Sequence, residues 1–369
     1  MLIILTLFWL RGVSGLKFNI TIVFTAIIII QSFFLKKWTI LFYSLKVALV
    51  VIFLFEIVGS RINNTALIRK VQDNYFLMDS VQGYRFAPNT LGAKSALLVD
   101  DRVVYSVYYS SDEFGRRICS NSDIASLNKK NKHVVFLGCS FTFGEGLDCE
   151  YSIPYLIQGK DAKLNTYNYA FRGYGPHNDL LNFQPGLNII NKDIIQEKEG
   201  YAIYTYIDDH LNRVYGGGEY LAYGHDTPDI FIEDDSVQIR KRGSFNTWLA
   251  LNIFNKSEIL KLFKINITYP KTEEYYKRFA EIINYTSSLY HREFPQGKFC
   301  VVIYPNQDKD LTWVKYLSDN IFFLHPESPV DYDTNLEAYI LDTIYDNHPT
   351  RIMNEYYSNI IYQSILSLD

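Results

Sequence analysis

From residue 133 to the C-terminus, five short apolar runs alternate with stretches of helical periodicity, and few folds accommodate that order. The runs at 133–138, 165–169, 200–206, 298–304 and 320–324 are rich in β-branched and aromatic residues, as strands buried on both faces are. Helices are predicted near 151–158, 177–191, 273–293, 308–318 and 350–367. Repetition of strand and helix predicts right-handed crossovers and an α/β fold: a doubly wound parallel sheet with helices on both faces, three layers in all. Ligands bind such sheets at the carboxyl ends of the strands, so the residues at the strand exits carry most of the functional information.

The first exit reads Val134-Val-Phe-Leu-Gly-Cys-Ser-Phe-Thr-Phe-Gly-Glu-Gly146. Gly138 ends the strand, Ser140 lands at its mouth, and Thr142, Gly144 and Gly146 let the backbone turn closely into a helix start. Amides at such a start can face a developing negative charge. A serine hydroxyl is a poor nucleophile at neutral pH and needs a base held by a third group. Near the C-terminus, Asp346 stands two residues before His348. That pair offers base and orienter, whereas His325 has Phe322 and Phe323 where an acidic neighbour would be.

These residues resemble the SGNH, or GDSL-like, hydrolase family, in particular its membrane-anchored bacterial branch. The first block, usually Gly-Asp-Ser, is Gly138-Cys139-Ser140. The second, an asparagine followed five residues later by a glycine, is Asn168 to Gly173. The third, which normally supplies an asparagine, falls at Tyr206-Ile-Asp208-Asp209-His210, and the last is Asp346 with His348. The resemblance covers the chain from about residue 130 onward. It implies a flavodoxin-like SGNH sheet, a catalytic set of Ser140, His348 and Asp346, and an oxyanion site at Gly173, with Asp208 or His210 in the place of the third-block asparagine. Asp208 would have to be protonated, because an ionised carboxylate beside an oxyanion raises the barrier. No cofactor is implied.

Charge is divided unevenly. The first 60 residues carry Arg11, Lys17, Lys36, Lys37 and Lys46 against Glu56 alone, a balance of +4, so the other 309 hold −8 of the chain's net −4. A broad nucleic-acid footprint is thereby disfavoured. Phe18 to Leu35 and Trp38 to Val58 are apolar stretches that approach the roughly 20 residues needed to cross a bilayer, with the opening MLIILTLFWL as a third, shorter one. The expected organisation is a membrane anchor over 1–60, a β-rich connector over 61–130, and a hydrolase domain over 131–369 with a cap-like insertion at 216–270. Localisation at the cell membrane follows, with the side taken by the catalytic domain left open by a nearly balanced distribution of basic residues.

Four cysteines, Cys119, Cys139, Cys149 and Cys300, show no metal-ligand spacing. Thirty tyrosines and 25 phenylalanines would suit a carbohydrate ligand, since aromatic faces pack on sugar rings. The function expected is a membrane-anchored serine esterase acting on an acyl ester, with O-acetyl groups on a glycan or lipid-linked sugar as the substrate class. The alternatives are an O-acyltransferase acting on envelope carbohydrate and a catalytically weak scaffold for polysaccharide assembly.

Overall fold

The computed structural model describes residues 39–63, 66–119, 131–217, 220–265 and 268–368. They divide into two compact units. The smaller gathers the helix Thr39–Asn63 with the described parts of 217–223 and 243–268, and the larger holds the sheet and the candidate site.

Nine strands build that sheet: β1 (Ile68–Gln72), β2 (Ala93–Val99), β3 (Arg102–Ser111), β4 (Arg117–Ile118), β5 (Lys132–Leu137), β6 (Leu164–Asn168), β7 (Glu199–Tyr206), β8 (Lys298–Ile303) and β9 (Ile321–Leu324). Their spatial order is β1-β2-β3-β4-β6-β5-β7-β8-β9. The last five run parallel, and within them the second strand precedes the first, the order of a doubly wound flavodoxin-like sheet. All five lie within about a residue of the runs read from the sequence. The β-rich connector becomes an antiparallel extension of the same sheet, joined through the pairing of Arg117 in β4 with Asn168 in β6.

Alternation along each parallel strand sorts side chains to opposite faces. Val135, Leu137, Ala202, Tyr204, Val301 and Ile303 pack toward Phe279, Ile282 and Ile283 of the helix Glu273–Glu293. Val134, Phe136, Ile203, Cys300 and Val302 pack toward Ile153 and Ile157 and toward the C-terminal helix Arg351–Leu368. Both faces are therefore covered, and the three-layer expectation is met.

Several local expectations are corrected. The helix expected over 177–191 stops at Leu181, and Pro185, which steers Gln184 away from helical geometry, bars it from running on to 191. Only a short 3₁₀ turn, Thr312–Tyr316, forms within 308–318. Within the stretch 216–270, the apolar residues from Phe245 to Phe263, whose spacing suits one amphipathic helix, form three pieces, and Ser257 starts the last by accepting the Leu260 amide at 3.2 Å. The C-terminal helix, on which the sequence sets Ile352, Tyr356, Ile360 and Ile361 on one face, buries Met353, Tyr357, Ile361 and Ile365, so Ile361 is inside as expected while Ile352 is 48% exposed. The hydroxyl of Tyr357 donates to the Ile303 carbonyl at 3.0 Å and fixes that rotation.

Of the expected membrane segments, the opening stretch and Phe18 to Leu35 lie outside the described residues. Trp38 to Val58 falls almost wholly on the helix Thr39–Asn63. Among the described residues no helix is long and apolar enough to cross a membrane, so transmembrane helices are not a feature of the described fold. Glu56 on this helix is buried, with its carboxylate accepting from the Ser257 hydroxyl and, at 2.7 Å, from the Glu258 amide. The acid that interrupts the apolar stretch thus anchors the start of an insertion helix.

Candidate active site

The turn after β5 is shaped by glycine. Gly138 has φ +137°, and a β-carbon there would meet the Thr142 hydroxyl at 2.7 Å and the Thr205 carbonyl at 3.1 Å. Ser140 follows as the first residue of a single helical turn, Ser140–Phe143. The turn's first internal bond is from the Phe143 amide to the Cys139 carbonyl, so the amides of Ser140, Phe141 and Thr142 have no partner within it.

Three groups hold this turn. Arg117, fully inside the protein, donates to the carbonyls of Phe143, Gly144 and Leu147, each at 2.6 Å. A disulfide joins Cys119 to Cys149. Asp179 accepts the Gly138 amide at 3.2 Å, and burial pushes its carboxyl well above the usual carboxylate range. Cys139, where the family block has aspartate, is 1% exposed, and its thiol is raised by burial.

The second block crosses over the same turn. Tyr169 and Phe171 donate their amides to the carbonyls of Phe136 and Gly138, carrying the β6 ladder past the end of β5. Asn168 accepts the Ala170 amide through its side chain, and Gly173 turns with φ +72°.

The last block is a hairpin, Ile340–Asp342 with Asp346–Pro349, rather than a bare turn. His348 Nδ1 and Asp346 Oδ1 are 2.6 Å apart, and the same oxygen accepts the His348 amide at 2.9 Å. The ring of Phe141, next to Ser140, lies 5.4 Å from the His348 ring between centroids, so the serine turn and the histidine hairpin are neighbours. Among the described residues no hydrogen bond joins Ser140 to His348; Nε2 faces Glu145 Oε2 at 3.6 Å. Burial by itself would lower the imidazole pKa, but the Glu145 carboxylate and then Asp346 outweigh it and hold His348 above its ordinary value. Asp346 is held low despite burial, chiefly by its bond to His348.

The third block turns elsewhere. Asp208 accepts the Lys309 amide at 3.1 Å, its own amide meets the Gln307 side chain, and burial raises its carboxyl. His210 is fully buried, with Nδ1 2.6 Å from the Tyr204 hydroxyl and its pKa driven well down by that burial. Their described contacts are with the 307–309 loop and the sheet rather than with Ser140. His325 is exposed and pairs with Asp308.

Glu145 and Arg172 were not singled out from sequence, although both sit inside recognised blocks. The available signal was a carboxylate flanked by two glycines in an otherwise apolar turn. The Cys119–Cys149 pairing had none, since four cysteines allow three connectivities. The aromatic surplus is largely packing: Tyr75, Phe86, Tyr109, Phe143, Phe171 and Tyr174 form one buried cluster against the second block.

Fold and site together define an α/β protein with a serine at a strand exit and a carboxylate–imidazole pair beside it. No family profile matches the sequence, and no curated protein does. Among the chains of similar fold are lipolytic proteins of the G-D-S-L family and carbohydrate esterases. A putative lipolytic protein of the G-D-S-L family from Desulfitobacterium hafniense is 14% identical over 63% of this chain and 99% of its own, with a TM-score of 0.33. An acetyl xylan esterase from Butyrivibrio proteoclasticus is 10% identical over 77% and 72%, with a TM-score of 0.37. A family two carbohydrate esterase from Cellvibrio japonicus is 9% identical over 83% and 100%, at 0.36. At these scores the chemistry of the site has to be argued from its own atoms.

Proposed function

We propose that this protein is a serine esterase acting on acyl esters. The observation that carries the reading is the 2.6 Å pairing of His348 with Asp346 against the turn that bears Ser140. Ser140 Oγ attacks the ester carbonyl carbon as its proton passes to His348 Nε2, and Asp346 stabilises the imidazolium. Collapse of the tetrahedral species breaks the ester C–O bond, and His348 returns the proton to the departing alkoxide. Water then repeats the sequence on the acyl-enzyme. The amides of Ser140 and Gly173 are assigned the oxyanion, with His210, whose Nε2 has no partner among the described residues, or neutral Asp208 as a further donor. Acylated carbohydrate is the substrate class to try first.

Attachment to a lipid surface belongs to the same proposal. Val47, Val50, Val51, Leu54, Phe55 and Val58 of the helix Thr39–Asn63 are all exposed, an apolar surface that water does not favour. The Cys119–Cys149 disulfide supports a catalytic unit on the oxidising side of that membrane, since disulfides persist outside the cytoplasm.

An active-site-directed fluorophosphonate tests the chemistry. The intact chain should be labelled and Ser140→Ala should not; equal labelling of both, or none of the intact chain, would remove the esterase reading.

A further inference from the structure

Glu145 is a charged group beside His348 to which the serine, histidine and aspartate chemistry gives no task. Its side chain is 5% exposed, and an uncompensated buried carboxylate is costly. Two groups compensate it. Oε1 receives Arg172 at 2.8 Å, and Oε2 stands 3.6 Å from His348 Nε2. Its own amide donates to the Ser140 carbonyl at 2.9 Å, so the backbone that carries it belongs to the nucleophile turn. His348 therefore has a carboxylate at each ring nitrogen, and the one at Nε2 faces the atom that must exchange a proton with Ser140.

The geometry assigns Glu145 as a positioning residue, a second carboxylate that holds the Nε2 edge of His348 beside Ser140, with Arg172 as the counter-ion that limits its pull. The kinetic meaning of this assignment rests on the esterase reading. At 3.6 Å the contact is too long for a hydrogen bond. It acts as charge on charge, favouring the imidazolium that forms when Ser140 gives up its proton, and it leaves Nε2 without a bond that would have to break first.

The groups around His348 act in known directions. Glu145 and Asp346 raise it, and Arg172, from the loop after β6, lowers it. Lys70 on β1 acts on Asp346. Tyr105 on β3 is kept protonated by burial and by Glu145. Arg102 on β3 is paired with Asp342 of the histidine hairpin.

Two substitutions should therefore move the imidazole in opposite senses. Glu145→Gln keeps shape and removes the charge, and should shift the His348 titration and the acid limb of kcat/KM down by roughly one pH unit. Arg172→Gln removes the opposing cation and should shift both upward, while Arg172→Lys, which keeps the charge, should leave the titration near its original place. The titration is read by NMR of the imidazole ring, assigned by its loss in His348→Gln, and so does not depend on turnover. An unmoved titration in Glu145→Gln, or movement in the same direction in both neutral variants, would overturn the assignment. If the titration moves as described but no fluorophosphonate labels Ser140, the esterase reading fails and the placement of Glu145 stands.

Discussion

Removing the Cys119–Cys149 disulfide, by Ser at both positions, should cost the catalytic unit much of its stability. The bridge spans a sequence separation of 30, and loop-closure entropy for a loop of that size gives about 3.5 kcal/mol at 25 °C. The loop it closes begins two residues after Arg117, whose guanidinium caps the carbonyls of the turn that carries Ser140, and ends at the 3₁₀ turn Cys149–Tyr151. Loss of the tether frees both ends of the segment containing Ser140. Urea unfolding followed by loss of fluorophosphonate labelling should show the midpoint of the double variant lower by roughly 1 M, taking a slope of a few kcal/mol per molar. Reductant should lower the intact chain to the same midpoint and leave the variant unmoved. Equal midpoints with and without the bridge would refute the tether argument, and with it the use of this disulfide to place the unit outside the cytoplasm.

The remaining expectations concern the site. Asp208→Asn should preserve or raise esterase turnover near neutral pH, because the asparagine oxygen can still accept the Lys309 amide and an ionised carboxylate beside an oxyanion raises the barrier; a collapse of turnover to background would show that the carboxylate itself is needed. The folded pKa of His348 lies above its unfolded value near 6.5, so its contribution to stability is fully present below that value and is lost as pH rises through the folded one. The stability difference between the intact chain and His348→Gln should therefore shrink as pH rises from below about 6.5 through the folded pKa. A difference that grows over that range, measured by denaturant unfolding, would contradict the sign.

The sequence was most informative where structure is local. Strand Val134 to Leu137, the exit at Gly138 and the serine after it could be read directly, because a buried parallel strand needs an apolar run and the close approach of Thr142 and Thr205 tolerates only glycine. Asp346 and His348 were legible as a pair because they stand two positions apart, and alternation along the one strand that carries both puts their side chains on the same face. The C-terminal helix was legible in extent and only partly in facing, since apolar residues lie on both sides of Ile361, and the packing of Met353, Tyr357 and Ile365, with the Tyr357 bond to Ile303, turns the other side inward.

What the chain order determined alone is the doubly wound sheet and the presence of a serine and a histidine at its functional edge, for strand periodicity and glycine geometry act over a few residues. What only the folded molecule decided is which distant groups meet there. Glu145 finds Arg172 and His348, Cys119 finds Cys149, and His210 turns inward to Tyr204. Such meetings depend on the packing of elements tens to hundreds of residues apart, which no local pattern of side chains records.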